Sequence, residues 1–305
     1  LTGCKPEVIG RDLHPLFVTT KFADELAAES GIRVVPVQHH HAHVAALMAE
    51  HGVDEIVGVC CDGYGYGDDG SAWGGEIILT DQGGHKRLTH LAAQPLIGGD
   101  LATKYPLRMV AGILRDREGI EDWLLARRDH FHHGAEEVNT VLKQLHSSKL
   151  QLTTSCGRVL DAISAILGLC YERTYEGEPA MKLESAAQGG EDVLNLEPRL
   201  EGEAIETSLM VHEIFTSVGR FTTRDLAYSA QSYIARSLSE RAIADATRFA
   251  VNTIGFTGGV AYNEIITRIF GLAVKEAGLS FATHKVVPPG DGGLSFGQAV
   301  VAANS

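Results

Sequence analysis

The sequence predicts an α/β protein, and three observations carry that prediction. Short β-branched runs such as Arg33–Val37 and Thr253–Phe256 are each followed by a segment of helical periodicity. Two further runs, Glu55–Cys61 and Ala72–Thr80, flank a glycine-rich turn, which is a hairpin signal. No internal repeat or low-complexity linker interrupts the 305 residues, which are enough for one large or two medium domains.

In chain order, Pro6–Asp12 reads as a strand and Thr19–Ser30 as a helix closed near Gly31. Arg33–Val37 is the next strand and His41–His51 a helix, with Val44, Leu47 and Met48 at helical spacing. Glu55–Cys61 and Ala72–Thr80 form the hairpin, its tip running from Asp62 to Gly70. Leu107–Leu114, Ile120–Ala126 and Ala135–Leu145 are helical, with His130, His132 and His133 solvated in a connection. Gly157–Leu169 is an amphipathic helix, Thr174–Ala180 a loop and Met181–Gln188 a helix. Val193–Leu209 is polar with short strands, and Leu226–Val251 is a long helix. Thr253–Phe256 is a strand, Asn263–Ala277 a helix, and Ser280–Val287 strand-like. The loop from Pro288 to Gly293 then leads into a closing helix, Leu294–Ala303.

Composition excludes several classes. With 44% hydrophobic and 21% charged residues the chain reads as ordinary globular protein. A formal net charge of −13 leaves no basic stripe for nucleic acid or an anionic membrane. No apolar run approaches the roughly 18–20 residues of a membrane span, and no secretory signal pattern is present. The cysteines, Cys4, Cys60, Cys61, Cys156 and Cys170, are odd in number and form no CxxC, which fits a reducing cytoplasm. Cys60 and Cys61 read as small buried residues of a strand.

Four histidines fall within Val37-Gln38-His39-His40-His41-Ala42-His43. If helical geometry already holds at His39, then His39 and His43 are an i, i+4 pair able to share a divalent metal. A polar helix start on the surface is the plainer alternative. Asp62 lies at the carboxyl end of a strand and opens a glycine-rich stretch, Gly63, Gly65 and Gly67. A dinucleotide fingerprint would open a helix, so this hairpin suits a backbone phosphate grip of the actin, sugar-kinase and heat-shock ATPase kind, or is simply flexible. Thr257-Gly258-Gly259 leads into the helix from Asn263, a turn suited to a nucleotide sugar or phosphate, or merely tight. Asp291, flanked by Gly290, Gly292 and Gly293, can approach an ion or serve as a turn and N-cap residue. Taken together, His39, His43, Asp62 and Asp291 make a divalent site, and the chain reads as a metal-assisted enzyme working with a nucleotide.

At VQHHHAH, DGYGYGDDGSAWGGE, GRVLDA, TYEGEPAMKLE, FTGGVAYN and PPGDGG the chain resembles the carbamoyltransferases that mature nickel–iron hydrogenases. The likeness is to their C-terminal domain, itself similar to the universal tRNA threonylcarbamoyl transferases, and it runs nearly the full length. The resemblance implies a two-lobed actin-like ATPase fold with a cleft, lacking its first N-terminal hairpin. The lobes are expected at 1–108 with 285–305, and at 109–284. It implies iron or zinc on His39, His43 and Asp291 with Asp62 as a further ligand. It also implies a nucleotide against Asp161, Gly177, Gly258, Gly259 and Asn263. The implied reaction moves the carbamoyl group of carbamoyl-adenylate, an ATP-derived compound carrying AMP, to the C-terminal cysteine of a partner maturation protein. An upstream domain would form the adenylate, and no side chain of this chain is expected as nucleophile. The alternatives are an O-carbamoyltransferase acting on a small-molecule hydroxyl, and a metal-binding docking module without activity. A sugar kinase would have no use for the metal residues.

Overall fold

The structure, a computed structural model, describes residues 5–81, 84–146 and 150–305. Cys4 therefore lies outside the described residues; the other four cysteines are free and buried. The chain divides into two units, the first comprising Leu1–Leu88, Ala242–Tyr262 and Val274–Ser305, the second Thr89–Arg241 and Asn263–Ala273.

In the first unit, β1 (Val8–Asp12) and β2 (Arg33–Val37) pair in parallel, joined by helix α1 (Val18–Ser30) as a parallel crossover requires. Their register sets Asp12 beside Val37, so both strands end together. Helix α2 (His39–His51) follows at once, because the Gln38 side chain accepts the backbone N–H of His41 at 2.8 Å and so caps the helix. Gly52, at a positive φ of 61°, closes it.

Strand β3 (Glu55–Tyr66) pairs antiparallel with β4 (Ala72–Asp81), and β5 (Gly84–Leu91) lies beyond β4. On the other side of β3, strand Thr253–Thr257 runs parallel to it with Thr257 opposite Cys60, and Ser280–Ala282 is the outer strand. Val44, Leu47 and Met48 of α2 pack on Ile56, Cys60, Ile78 and Ala282 of the sheet. Fully burying one such aliphatic side chain contributes roughly 1.5–3 kcal/mol. The closing helix, Leu294–Ala303, lies against α2 at Gly297, where an added Cβ would stand 1.8 Å from the Ala42 carbonyl oxygen.

The second unit is mainly helical. Arg108 of helix Leu107–Ile113 donates to Glu137 of Gly134–Leu145 in a buried pair. Helix Cys156–Ile166 is capped by Ser155, which accepts the Arg158 N–H at 3.1 Å. The last residues of β5, His90 and Leu91, pair with Ala204 and Ile205. His130, His132 and His133 are exposed, as expected.

Several expectations are corrected. Helix α2 begins at His39, two residues early, which supplies the condition for the i, i+4 pair. Strand β3 continues through the glycines to Tyr66, and its register shifts between Cys61 and Gly65, so Asp62 belongs to a bulge and not to a hairpin tip. The helix expected from Met181 starts at Glu178, because Gly177 at a φ of 74° and Pro179 in the first turn favour an earlier start. Residues Ser208–Ser217 are helical, and the strand expected to Val287 ends at Ala282. Strand Gly84–Leu91 was not foreseen. Pairing with β3 ties Thr253–Thr257 to the first unit.

Candidate metal centre

Three local devices bring four ligand-type side chains together within the first unit. Helical spacing aims His39 and His43 the same way, with ring centroids 5.0 Å apart. The β3 bulge turns out Asp62, whose Oδ1 accepts the N–H of Gly63 at 2.7 Å and that of Gly259 at 3.3 Å. That second bond needs the Gly258-Gly259 corner. Gly258 has a φ of 89°, and a Cβ there would meet the Cys61 carbonyl oxygen at 2.3 Å. Asp291 enters from the loop before the closing helix, whose close seat on α2 brings it to the imidazoles.

The resulting distances are narrow in range. His43 Nε2 is 3.3 Å from Asp62 Oδ2 and 3.5 Å from Asp291 Oδ1. His39 Nε2 is 3.4 Å from Asp62 Oδ2 and 3.6 Å from Asp291 Oδ1. One ligand atom from each of the four residues lies within 4.8 Å of every other. Four donors set tetrahedrally about 2.0–2.2 Å from zinc stand about 3.3–3.6 Å apart. The residues thus fit a divalent ion. His43 Nε2 is buried without a hydrogen-bond partner, an orphan that an ion would satisfy. Asp291, whose side chain is 63% exposed, leaves the cluster open on its own side.

The charges agree. Burial disfavours the imidazolium of His39, yet hydrogen bonds to Asp12 and Asp62 and the nearby Asp291 carboxylate outweigh it and hold its pKa well above 6.5. Burial lowers the pKa of His43 as well, but the neighbouring carboxylates of Asp291 and Asp62 raise it above 6.5. Burial opposes ionisation of Asp62, but the two imidazoles hold it well below the usual carboxylate range. Asp291, its carboxylate set beside the imidazoles of His39 and His43, falls to about 2. The pocket is built for positive charge held between carboxylates.

Sequence reasoning missed the supporting groups. Asp12 Oδ2 lies 2.9 Å from His39 Nδ1, and both are buried. Gln38 holds His40 Nδ1 at 3.1 Å and donates to the Tyr66 carbonyl at 3.0 Å. Burial pushes the pKa of His40 well below 6.5, so that ring is a neutral packing group. The polar residues at strand and helix ends, such as Asp12, were the available signal.

The remaining predicted residues are not among these four ligands. Gly65 and Gly67 leave room for the protein's own rings: a Cβ would come within 2.4 Å of His40 at the first and 2.2 Å of Trp73 at the second. The N–H of Gly67 donates to Ser71 and that of Gly63 to Asp62. Gly258 and Gly259 brace Asp62. Asp161, Gly177 and Asn263 belong to the second unit. Asp161 is fully buried, 2.8 Å from Arg158, and burial raises its pKa. Asn263 accepts the Ile266 N–H at 2.9 Å and donates to Gln231 at 2.7 Å.

Comparison with known proteins shows the family. The family described as "Carbamoyltransferase, Kae1-like Domain, second subdomain" matches residues 58–298, and "HypF Kae1-like domain" matches residues 1–50. The chain belongs to the HypF carbamoyltransferase family. It is 42% identical to the probable carbamoyltransferase HypF of Methanocaldococcus jannaschii, over 97% of this chain and 39% of that protein. It is 32% identical to the carbamoyltransferase HypF homolog of Cupriavidus necator, over 97% of this chain and 78% of that protein. The crystal structure of T. kodakarensis HypF superposes with a TM-score of 0.90 at 41% identity, covering 96% of this chain and 40% of that one. A full-length HypF in a phosphate- and nucleotide-bound form gives 0.88 at 30% identity, covering 98% of this chain and 39% of that one. The chain thus spans about two fifths of most of these HypF proteins. The Kae1-like assignment agrees with the expected actin-like ATPase type of fold. Among the described residues no helix is long and apolar enough to cross a membrane.

Proposed function

We propose that this HypF-family domain transfers a carbamoyl group from carbamoyl-adenylate to the C-terminal cysteine thiol of a hydrogenase-maturation partner. The observation that carries the reading is the His39, His43, Asp62 and Asp291 cluster, with donor separations suited to one divalent ion, iron or zinc. When bound, such an ion would polarise an oxygen of the acyl donor as a Lewis acid. His39 and His43 would hold it from α2, Asp62 from the β3 bulge and Asp291 from the open side.

In the transfer, the partner's sulfur bonds to the carbamoyl carbon, the bond from that carbon to the adenylate oxygen breaks, and AMP leaves while the thiol proton passes to solvent. Among the described residues the chain's own thiols are buried and suit no such role. Cys60 and Cys61 are fully buried, and burial pushes the Cys60 pKa well above its ordinary value. Nucleotide contacts at Asp161, Gly177, Gly258, Gly259 and Asn263 belong to the same reading, supported by a nucleotide-bound HypF relative. An upstream domain supplying the adenylate, and a cytoplasmic setting for the free cysteines, complete it.

The test is incubation of the zinc- or iron-loaded chain with preformed carbamoyl-adenylate and a peptide ending in cysteine, read by mass spectrometry. A thiocarbamoylated peptide is expected. Transfer to a small-molecule hydroxyl instead would move the acceptor assignment to an O-carbamoyltransferase. No transfer to any acceptor with metal bound would leave a docking module.

A further inference from the structure

Helix α2 carries a second set of polar contacts at its far end. Glu50 Oε1 accepts the backbone N–H groups of Lys285 at 2.6 Å and Val286 at 2.7 Å. Its Oε2 lies 2.9 Å from His284 Nδ1, and the other ring nitrogen of His284 lies 2.9 Å from Thr257 Oγ1. The Pro289 carbonyl accepts the Gly258 N–H at 2.9 Å and stands 3.3 Å from the same Thr257 oxygen. A carboxylate only accepts, so Nδ1 of His284 carries its proton, and in the neutral ring Nε2 accepts the Thr257 hydroxyl. The order hydroxyl, imidazole, carboxylate is that of a hydrolase triad. Thr257 is 0% exposed, however, so no substrate reaches its oxygen.

We infer that Glu50, His284 and Thr257 form a positioning relay that fixes the loop delivering Asp291 to the ligand cluster. The four ligands are held in different ways. Asp62 has its own backbone donors, and His39 and His43 are buried on a helix. Asp291 is largely exposed, and among the described residues its carboxylate stands beside the two imidazoles themselves. Packing therefore does not fix its carboxylate, which takes its place from the backbone. That backbone is tied to α2 at Lys285 and Val286 and to the Thr257-Gly258 corner at Pro289, two residues before Asp291. One helix thus presents the imidazoles at one end and, through Glu50, places the opposing carboxylate from the other.

This inference rests on the metal reading above, and a double-mutant cycle separates the two. Zn²⁺ affinity is measured by competition with a chromophoric chelator for Glu50→Gln, His284→Ala and Thr257→Val. Each is measured alone and on an Asp291→Ala background, with circular dichroism to check folding. Loss of a group supporting a metal ligand typically weakens affinity about 10–100-fold. That loss is expected with Asp291 present, and should shrink to about twofold or less, the scatter of independent sites, once Asp291 is removed. Equal losses on both backgrounds would show general destabilisation and overturn the relay, as would no loss on either. Thr257→Val, nearly isosteric, keeps the test open if His284→Ala does not fold. Failure of the unmutated chain to bind Zn²⁺ at all would remove the metal reading itself.

Discussion

Asp12 Oδ2 lies 2.9 Å from His39 Nδ1, on the ring edge away from the nitrogen that faces Asp62 and Asp291. The contact follows from strand register: Asp12 ends β1 beside Val37, and only Gln38 separates that strand end from His39. Asp12 is 3% exposed, and its Oδ1 accepts the His14 N–H at 2.8 Å. A carboxylate there fixes the tautomer that leaves Nε2 free to bind, and it raises the basicity of the ring.

Asp12→Ala is accordingly expected to weaken Zn²⁺ affinity by about 10–100-fold, with Asp12→Asn nearer wild type because its carbonyl still accepts from Nδ1. Isothermal titration of the two variants checks this. Equal affinities for Asp12→Ala and wild type would reduce Asp12 to a capping residue of its own loop.

Gly297→Ala tests how the closing helix is seated. The new Cβ would fall 1.8 Å from the Ala42 oxygen, so the helix must move off α2. Overpacking of this kind costs about 1–3 kcal/mol or more, read as a lowered melting temperature. Because Asp291 opens the short turn, Asp291–Gly293, that leads into that helix, Zn²⁺ affinity should fall as well. A melting curve superimposable on that of wild type would show that the helix contact is loose.

Much of this site was legible in the residues, for reasons that are local. The i, i+4 spacing of His39 and His43 needs only a helix, and the glycines around Asp62, Gly258 and Asp291 mark backbone approaches whatever the fold. What the sequence hid depends on register and tertiary distance. Nothing near Asp12 announces a partner 27 positions away, and Glu50 meets His284 only after a crossing of 234 positions. The hairpin tip was misplaced because glycines signal both a turn and a bulge, and strand pairing on either side decides between them. Gly65 read as a ligand grip, whereas its missing Cβ leaves room for His39 and His40.

Asp161→Ala should reveal a structural debt. The carboxylate is fully buried and 2.8 Å from Arg158 on the next turn of its helix, so its removal strands a buried guanidinium. Breaking a buried pair from one side costs about 3–5 kcal/mol, measurable as a lowered urea midpoint. Arg158→Ala should cost a similar amount and the double variant less than the sum. A normal urea midpoint combined with lost nucleotide affinity would instead make Asp161 chiefly a ligand contact.

The last prediction concerns pH. In the metal-free chain, burial lowers the pKa of His39 and His43, but their carboxylate neighbours raise both above 6.5. A raised folded-state pKa contributes stability that is complete below the unfolded value, about 6.5, and is lost as pH climbs through the folded one. Asp291, depressed to about 2, contributes stability above its ordinary value near 3.8 that is lost as pH falls toward 2. The cluster therefore stabilises the metal-free chain most between about pH 4 and 6.5, and its melting temperature should decline from neutral pH upward. A divalent ion needs the imidazoles neutral and releases their protons, so its affinity rises over the same alkaline range. The difference in melting temperature between Zn²⁺-loaded and chelator-treated protein is thus expected to widen from pH 6 to about 8.5. His39→Ala should flatten the alkaline decline of the metal-free curve, because the group that loses its proton is gone. A metal-free curve that declines identically in wild type and His39→Ala would place the titrating group elsewhere.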